Sequence, residues 1–311
     1  MSERIAVVGA GSIGVGWSIV FARAGHAVAL QDPDPARREA CVAELRARLD
    51  ELAAGELLDE PAARVAARVT VHADLAGAVE GVAHVQENAP ENLDLKRELF
   101  ARLDALAPAD AALASSSSAL TASRFAADVP GRARCLVAHP ANPPHVLSIV
   151  ELVPAPFTAP EVVAQVRERM AGAGMSPVLV DHEPEGFVFN RLQGALLREA
   201  YCLVRDGVAS VEDVDRVVRE GLGRRWAVIG PFETVDLNTR GGVEVHAQRM
   251  GPAYARMGAE RGQDDPWTAD LVARVVAERR ALLPLEEWDD RVAWRDRMLL
   301  ALERARRREG A

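Results

Sequence analysis

The chain has 311 residues, about half of them hydrophobic, and a formal net charge of −9. That length accommodates two domains, and the acidic balance argues against nucleic acid or an anionic membrane as a partner, since both ask for a basic face. No apolar run approaches the ~20 residues of a membrane span, and no leader is expected because a strand pattern starts near Arg4. The expectation is therefore a cytoplasmic protein. Cys41, Cys135 and Cys202 stand singly in apolar surroundings, with neither a CxxC nor a metal spacing. They read as free, buried thiols of a reducing compartment. Lys96 is the one lysine among 37 basic residues.

In chain order, Ile5 to Val8 is a short apolar run suited to a buried parallel strand. Gly9, Gly11 and Gly14 follow as GxGxxG, and Ile13, Trp17, Val20 and Phe21 recur at helical spacing until Gly25. Ala27 to Leu30 makes a second strand that ends at Asp32. A long charged helical region follows, broken near Gly55 and Pro61. Further strands are expected at Val69 to Val71, Val82 to Asn88, "AALASSSS", "RCLVAHP", "LSIVELV" and "SPVLVD". "NLDLKRELFARLDAL" reads as an amphipathic helix with Leu95, Leu99, Leu103 and Leu106 on one face. Strand and helix alternate to about Asp181, the signature of a Rossmann-type doubly wound α/β fold with a mostly parallel sheet. Beyond Pro184 the chain reads all-α: "GFVFNRLQGALLREAYCLVRDG" as a long, almost apolar helix, then a helix capped by Ser210 with Asp213 three residues on. Breaks are expected at Gly230-Pro231, Gly241-Gly242 and Gly251-Pro252, and the arginine-rich end as a solvated helix tail. The domains are expected at 1–184, binding the cofactor, and 185–311, helical, for substrate and dimerisation.

A lone GxGxxG says little. Here it follows a strand, opens a helix and meets an acid 18 residues after Gly14, which makes the dinucleotide reading strong. Gly9 allows the tight turn, Gly11 lets backbone approach a pyrophosphate, and Gly14 lets the helix pack on the strand. Ser12 and Ile13 open the helix, whose N-terminus offers free N–H groups and positive dipole to phosphates. Asp32 would accept hydrogen bonds from ribose hydroxyls and repel a 2′-phosphate, which favours NAD over NADP; Arg37 and Arg38 nearby pull the other way. The bland alternative is a glycine turn with no ligand.

The order GxGxxG, "ENAPENLDLKRELF", "ASSSSAL", "HPANPP", "VELVP" and "GFVFNR" resembles the 3-hydroxyacyl-CoA dehydrogenase superfamily. "GSIGVGW", "AHPANPPHVLSIVELVP" and "GLGRRWAVIGPFETVDLN" are most similar to its lambda-crystallin branch, which includes L-gulonate 3-dehydrogenase. The resemblance implies that His139 is the general base for a substrate 3-hydroxyl and that Glu151 pairs with and orients its imidazole. It implies that Ser118 touches substrate and nicotinamide, although the family's Ser-Asn-Thr-Ser is here Ser115-Ser116-Ser117-Ser118. Asn142 would hold a substrate oxygen, and Asn190 would reach the site from the helical domain. Glu91 and Lys96 match positions that contact the cofactor's nicotinamide half. Taken singly, each has a plainer reading: a packing histidine, a strand-end carboxylate, an interdomain hydrogen bond at Asn190, a surface helix pair at Glu91 and Lys96. His145 is a rival base just outside the motif.

From Pro33 to Arg68 the chain carries six arginines against eight acids and no lysine, a poor funnel for CoA phosphates. The expectation is a small free L-3-hydroxy acid, L-gulonate-like, with Arg225 or Arg191 for its carboxylate. An acyl-CoA ester and L-carnitine are the enzyme alternatives, with Trp226 the one hint of a cage for a quaternary ammonium. A crystallin-like structural role is the non-enzyme alternative. No metal is called for. A homodimer through the apolar helical domain is the family expectation.

Overall fold

The computed structural model describes residues 2–263 and 268–292, with 294, 298 and 305. The arginine-rich end expected to be a helix tail lies outside them, save Ala305. The chain divides into two units, Met1–Leu197 and Arg198–Ala311.

The first unit begins β1 (Arg4–Val8), α1 (Ser12–Arg23), β2 (Ala27–Gln31), α2 (Pro35–Ala54), α3 (Ala62–Ala66) and β3 (Val69–His72). It continues α4 (Leu75–Val79), β4 (His84–Glu87), α5 (Leu93–Leu106), β5 (Ala112–Ser115) and α6 (Ala122–Phe125). Then come β6 (Cys135–Pro140), β7 (Ile149–Pro154), α7 (Pro160–Gly172), β8 (Ser176–Leu179) and α8 (Phe189–Arg205), which runs past the unit's end. All eight strands join one sheet in the order β3-β2-β1-β4-β5-β6-β7-β8. The chain winds outward from β1 to β3, returns to β4 beside β1, and winds the other way. The crevice at that reversal, past the carboxyl ends of β1 and β4, is where such sheets bind ligands.

Both faces of the sheet are buried. Trp17, Phe21, Leu45, Val166 and Met170 from α1, α2 and α7 cover one; Val79, Phe100, Leu103 and Phe125 from α4, α5 and α6 cover the other. Two details differ from the sequence reading. On α5 the buried positions are Lys96, Phe100 and Leu103, while Leu95 is 40% and Leu106 43% exposed. The helix is rotated so that a lysine faces inward, because a buried carboxylate waits for it (below). Pairing is parallel from β3 through to β6, but β6 and β7 run antiparallel, and β8 is parallel to β7. The proline loop is therefore the connection of a hairpin.

The second unit holds α9 (Val211–Val217), a π-turn at Val218–Leu222, α10 (Gly223–Trp226), α11 (Pro231–Asn238), α12 (Gly242–Glu260) and α13 (Ala269–Leu282). Ser210 caps α9 by accepting the Asp213 N–H at 3.1 Å. Gly230 and Gly241 stand at helix starts as read from sequence, but Gly251-Pro252 does not break the chain: Pro252 lies inside α12. A proline there removes one ladder hydrogen bond without ending the helix. Ile229, Leu237 and Leu283 form a small core, beside which the fully buried Asp236 accepts the Val243 N–H at 2.8 Å and pairs with Arg280.

Candidate active site

At the crevice the glycine turn has the geometry a dinucleotide needs. Gly9 adopts φ +94°, and a Cβ there would lie 2.9 Å from the Asn88 backbone. A Cβ on Gly14 would collide with the Gly9 carbonyl oxygen, so α1 packs against the turn only because both are glycine. Gly11 faces open space within 4 Å, the room that lets phosphate oxygens reach the backbone. Val15 is the first residue of α1 whose N–H finds a helical carbonyl, that of Gly11 at 2.9 Å; the N–H groups of Ser12, Ile13 and Gly14 form the open first turn. Asp32 follows β2 directly, with Oδ2 accepting the Ala10 N–H at 2.8 Å and Oδ1 the Asp34 N–H at 2.9 Å, so it is locked beside the turn. Arg37 donates to the Ala10 carbonyl, and Arg38 to the Asp32 and Pro33 carbonyls at 2.9 and 2.8 Å. Arg37 also pairs with Glu44, while Arg38 meets only carbonyls and keeps its charge; the Asp32 carboxylate beside the turn is what disfavours a 2′-phosphate. These residues fit NAD.

Across the sheet, His139 and Glu151 are directly opposite each other in the β6–β7 ladder. Opposed residues of an antiparallel pair project to the same face with Cβ atoms about 5 Å apart. His139 Nδ1 meets Glu151 Oε2 at 2.8 Å, and both side chains are nearly buried. The carboxylate assigns the Nδ1 proton to the imidazole and leaves Nε2 as the acceptor. Glu151 Oε1 takes the N–H groups of Val188 and Phe189 at 2.7 and 2.8 Å. Burial alone would raise the Glu151 carboxyl; the hydrogen bonds from His139, Phe189 and Val188 outweigh it and hold the group below the usual range. The same two bonds tie the start of α8 to the dyad. Phe187 and Phe189 flank the imidazole at 5.7 and 6.5 Å, and the half-buried Asn190 follows them in the first turn of α8.

Two models of the 3-hydroxyacyl-CoA dehydrogenase match the chain: the NAD binding domain over residues 4–183 and the C-terminal domain over 186–281. The chain belongs to the 3-hydroxyacyl-CoA dehydrogenase family. It is 41% identical over 302 residues to the lambda-crystallin homolog of Bos taurus, covering 96% of this chain and 94% of that protein. It is 38% identical over 319 residues to an L-carnitine dehydrogenase of Streptomyces coelicolor, covering 99% and 96%. Among solved structures, 5-formyl-3-hydroxy-2-methylpyridine 4-carboxylic acid 5-dehydrogenase, an NAD+ dependent dismutase, superposes with a TM-score of 0.75 at 29% identity over 96% of this chain and 99% of that one. The protein is an NAD-dependent hydroxyacyl or hydroxy acid dehydrogenase of the lambda-crystallin branch.

In this dehydrogenase the remaining site residues are distributed as follows. Ser118 is exposed just past the end of β5, and its hydroxyl has no partner among the described residues. Asn142 is exposed in the hairpin loop. His145 is buried against α1, where a Cβ on Gly16 would lie 3.3 Å from its Nδ1, and burial lowers its pKa; it serves as packing. Glu91 and Lys96 are both engaged within the protein. Lys96 Nζ, 1% exposed, lies 2.9 Å from each oxygen of the buried Glu87 and 3.4 Å from Ser115 Oγ. Arg225 is half-buried on α10, with no ion-pair partner among the described residues; Arg191 lies in the first turn of α8.

The sequence reading passed over one cluster. Ser116 Oγ accepts from Trp17 Nε1 at 3.0 Å and Gln86 Nε2 at 2.7 Å, and donates to Asn88 Oδ1 at 2.7 Å. Gln86 Nε2 also donates to the Ala138 carbonyl at 3.1 Å, one residue before His139. His84 reaches Gln86 Oε1 at 3.1 Å, and burial takes its pKa down to about 3. The signal was available: β4 is a central strand whose four buried residues include three polar ones, His84, Gln86 and Glu87. A buried strand carries that much polarity only when most of its groups find partners; here His84 Nδ1 alone among the side-chain polar atoms of β4 is left without one among the described residues.

Proposed function

We propose that this enzyme oxidises the 3-hydroxyl of a small L-3-hydroxy acid, L-gulonate-like, to the 3-keto acid, with His139 as general base. The observation that carries the reading is the His139–Glu151 pair at 2.8 Å, buried beside an NAD cradle. When bound, NAD supplies the acceptor for the hydride that leaves the substrate carbon. His139 Nε2 accepts the hydroxyl proton, and the Glu151 carboxylate stabilises the resulting imidazolium without moving, since two backbone N–H groups already fix it. Ser118 and Asn190 hold the reacting oxygen, and Asn142 a second substrate oxygen. Arg225, free of carboxylate partners among the described residues, receives the substrate carboxylate.

A free acid is favoured over a CoA ester by the state of the α2–α3 arginines. Of the six arginines from Pro33 to Arg68, Arg37, Arg48, Arg64 and Arg68 are paired with carboxylates, which leaves only Arg38 and Arg46 without a carboxylate partner among the described residues to meet CoA phosphates. The structural relative named for an unesterified carboxylic acid points the same way. L-Carnitine is the second reading, favoured by the 38% identity to a carnitine dehydrogenase and by Trp226, 40% exposed beside Arg225 in the chain. We further propose a cytoplasmic homodimer assembled through the helical domain. α8 buries none of its residues, and Leu192, Leu197, Tyr201 and Val208 on it or just past its end are 46 to 76% exposed.

The test is NADH formation from NAD with L-gulonate, L-3-hydroxybutyrate, L-carnitine and L-3-hydroxybutyryl-CoA. A free acid is expected to turn over, and His139→Ala to lower the rate by about 10²- to 10⁴-fold. Arg225→Ala is expected to raise KM for the acid and leave NADH affinity alone. Turnover of the CoA ester only would sink the free-acid reading; an active His139→Ala would sink the base.

A further inference from the structure

Gln86 is a fully buried amide in the central strand β4. It stands opposite Ala114 of β5, which stands opposite Leu136 of β6, so the three side chains share one face of the sheet. Ala114 is small enough for the Gln86 side chain to cross over it, and Gln86 Nε2 donates to the Ala138 carbonyl of β6 at 3.1 Å. A side chain thus reaches backbone two strands away, and the reason lies at the end of β5. In the β6–β7 hairpin the Ala141 N–H donates to the Ile149 carbonyl at 3.1 Å. By alternation the backbone of His139 bonds toward β7 and that of Ala138 toward β5. But β5 stops at Ser115, opposite Val137. The next two N–H groups are spent elsewhere, Ser116 on the Glu87 carbonyl at 2.8 Å and Ser117 on Ser115 Oγ at 3.2 Å. The Gln86 amide supplies the donor that β5 no longer can.

The Ala138 carbonyl belongs to the peptide unit that joins Ala138 to His139. Holding it fixes the plane from which the His139 side chain departs. The amide is itself held. Nε2 also donates to Ser116 Oγ at 2.7 Å, and Oε1 accepts from His84 Nε2 at 3.1 Å. A flipped amide would set oxygen against the Ala138 carbonyl, so one orientation alone satisfies all three partners. We propose that Gln86 is a positioning residue for His139: its amide completes β6 where β5 ends and sets the direction of the imidazole. This rests on the reading of His139 as the general base. Glu151 grips the ring from β7, and Gln86 grips the backbone from the other side. A misplacement of about 1 Å is enough to cost a reaction about 10²-fold.

The experiment compares wild type, Gln86→Met, Gln86→Leu, Trp17→Phe, His139→Ala and the Gln86→Met/His139→Ala double variant. Gln86→Met keeps the length of the side chain and removes its donors. Trp17→Phe breaks the web on the far side of Ser116 and leaves the Gln86–Ala138 bond in place. Turnover of the four substrates above is measured per NADH-binding site, titrated by fluorescence, so that unfolded protein does not count. In both Gln86 variants kcat is expected to fall by about 10- to 100-fold. KM and NADH affinity should hold within about threefold, as should kcat in Trp17→Phe. In the His139→Ala background Gln86→Met should cost no further turnover, the non-additivity of two groups acting as one. In protein carrying isotope-labelled histidine, the His139 ring resonances, assigned by their loss in His139→Ala, should shift in Gln86→Met and stay in Trp17→Phe. An unchanged kcat in Gln86→Met overturns the proposal, and so does a full further loss in the double variant. An equal fall in Trp17→Phe overturns it too, because the web would then matter only as packing. Loss of NADH binding in both Gln86 variants does the same, by making Gln86 a residue of the fold at large. If wild type turns over none of the substrates, the base reading fails by itself. The His139 resonances still decide whether Gln86 sets the ring, and an absent shift overturns it.

Discussion

A lysine ammonium is tolerable in a protein interior only when its charge is met, and Lys96 is met by both oxygens of Glu87 with Ser115 alongside. The persistence of one lysine in an arginine-rich chain then has a physical reason. A compact ammonium on a flexible stem fits a closed pocket where a planar fork does not. Lys96→Met should destabilise the fold by about 3–5 kcal/mol, because it leaves Glu87 buried and unpaired, whereas Lys96→Met with Glu87→Leu should recover most of that; urea unfolding of the three proteins checks it. Two other carboxyls contribute to acid stability. Burial would raise Glu91, but hydrogen bonds from Ser117, Leu120, Ser118 and Ala119 hold it low, and Glu151 is held low likewise. Protons therefore bind these groups in the unfolded chain first. Their contribution is complete above about 4.5 and is lost as pH falls below that value through their folded pKa values. Melting temperature followed from neutral to acid pH should fall less steeply in Glu91→Gln and Glu151→Gln than in wild type. At this scale the sequence announced His139 and Glu151 through a motif. It could not announce what Glu91 and Lys96 touch, since their partners lie 26 and 9 residues away in the chain.

Elements carry the alignment of the dyad. His139 and Glu151 are twelve residues apart, and an antiparallel pair with a hairpin loop between them puts the two opposite each other. A slip of one residue would send their side chains to opposite faces. The loop is seated on α1: a Cβ on Gly16 would lie 2.9 Å from Pro144 Cδ and 3.3 Å from His145 Nδ1. Gly16→Ala should push the loop off the helix, at a cost of about 1–3 kcal/mol typical of overpacking, and lower turnover more than NADH affinity; calorimetry and NADH titration separate the two effects. The strands were legible because short apolar runs between turn signals have few other fates. The rotation of α5 was not, because four leucines outvote one lysine in any periodicity argument. The inward position of Lys96 follows from a charge on another strand. Pro252 reads as a break because helix propensity is local, yet α12 continues through it.

On the scale of the whole molecule, the sheet reverses at β1 and β4 and sets the glycine turn, the β5 turn and the β6–β7 hairpin at one end of one unit. The dimer proposal belongs here. An amphipathic α8 with no buried residue needs a cover. Light scattering should find a dimer that Leu197→Glu with Tyr201→Glu converts to a monomer; a monomeric wild type would end that proposal. No helix of the described residues is long and apolar enough to cross a membrane. By itself the sequence determined the α/β class, the eight strands, the NAD cradle and the family, because each is written in short-range pattern: glycine spacing, apolar runs, an acid at a strand end. Only the tertiary structure decided the antiparallel turn of β7, the buried pairing of Lys96 with Glu87, the polar web from Trp17 to Ala138 and the grip of Glu91 on the serine turn. Those depend on which residues meet across strands, and burial gives such meetings their energy.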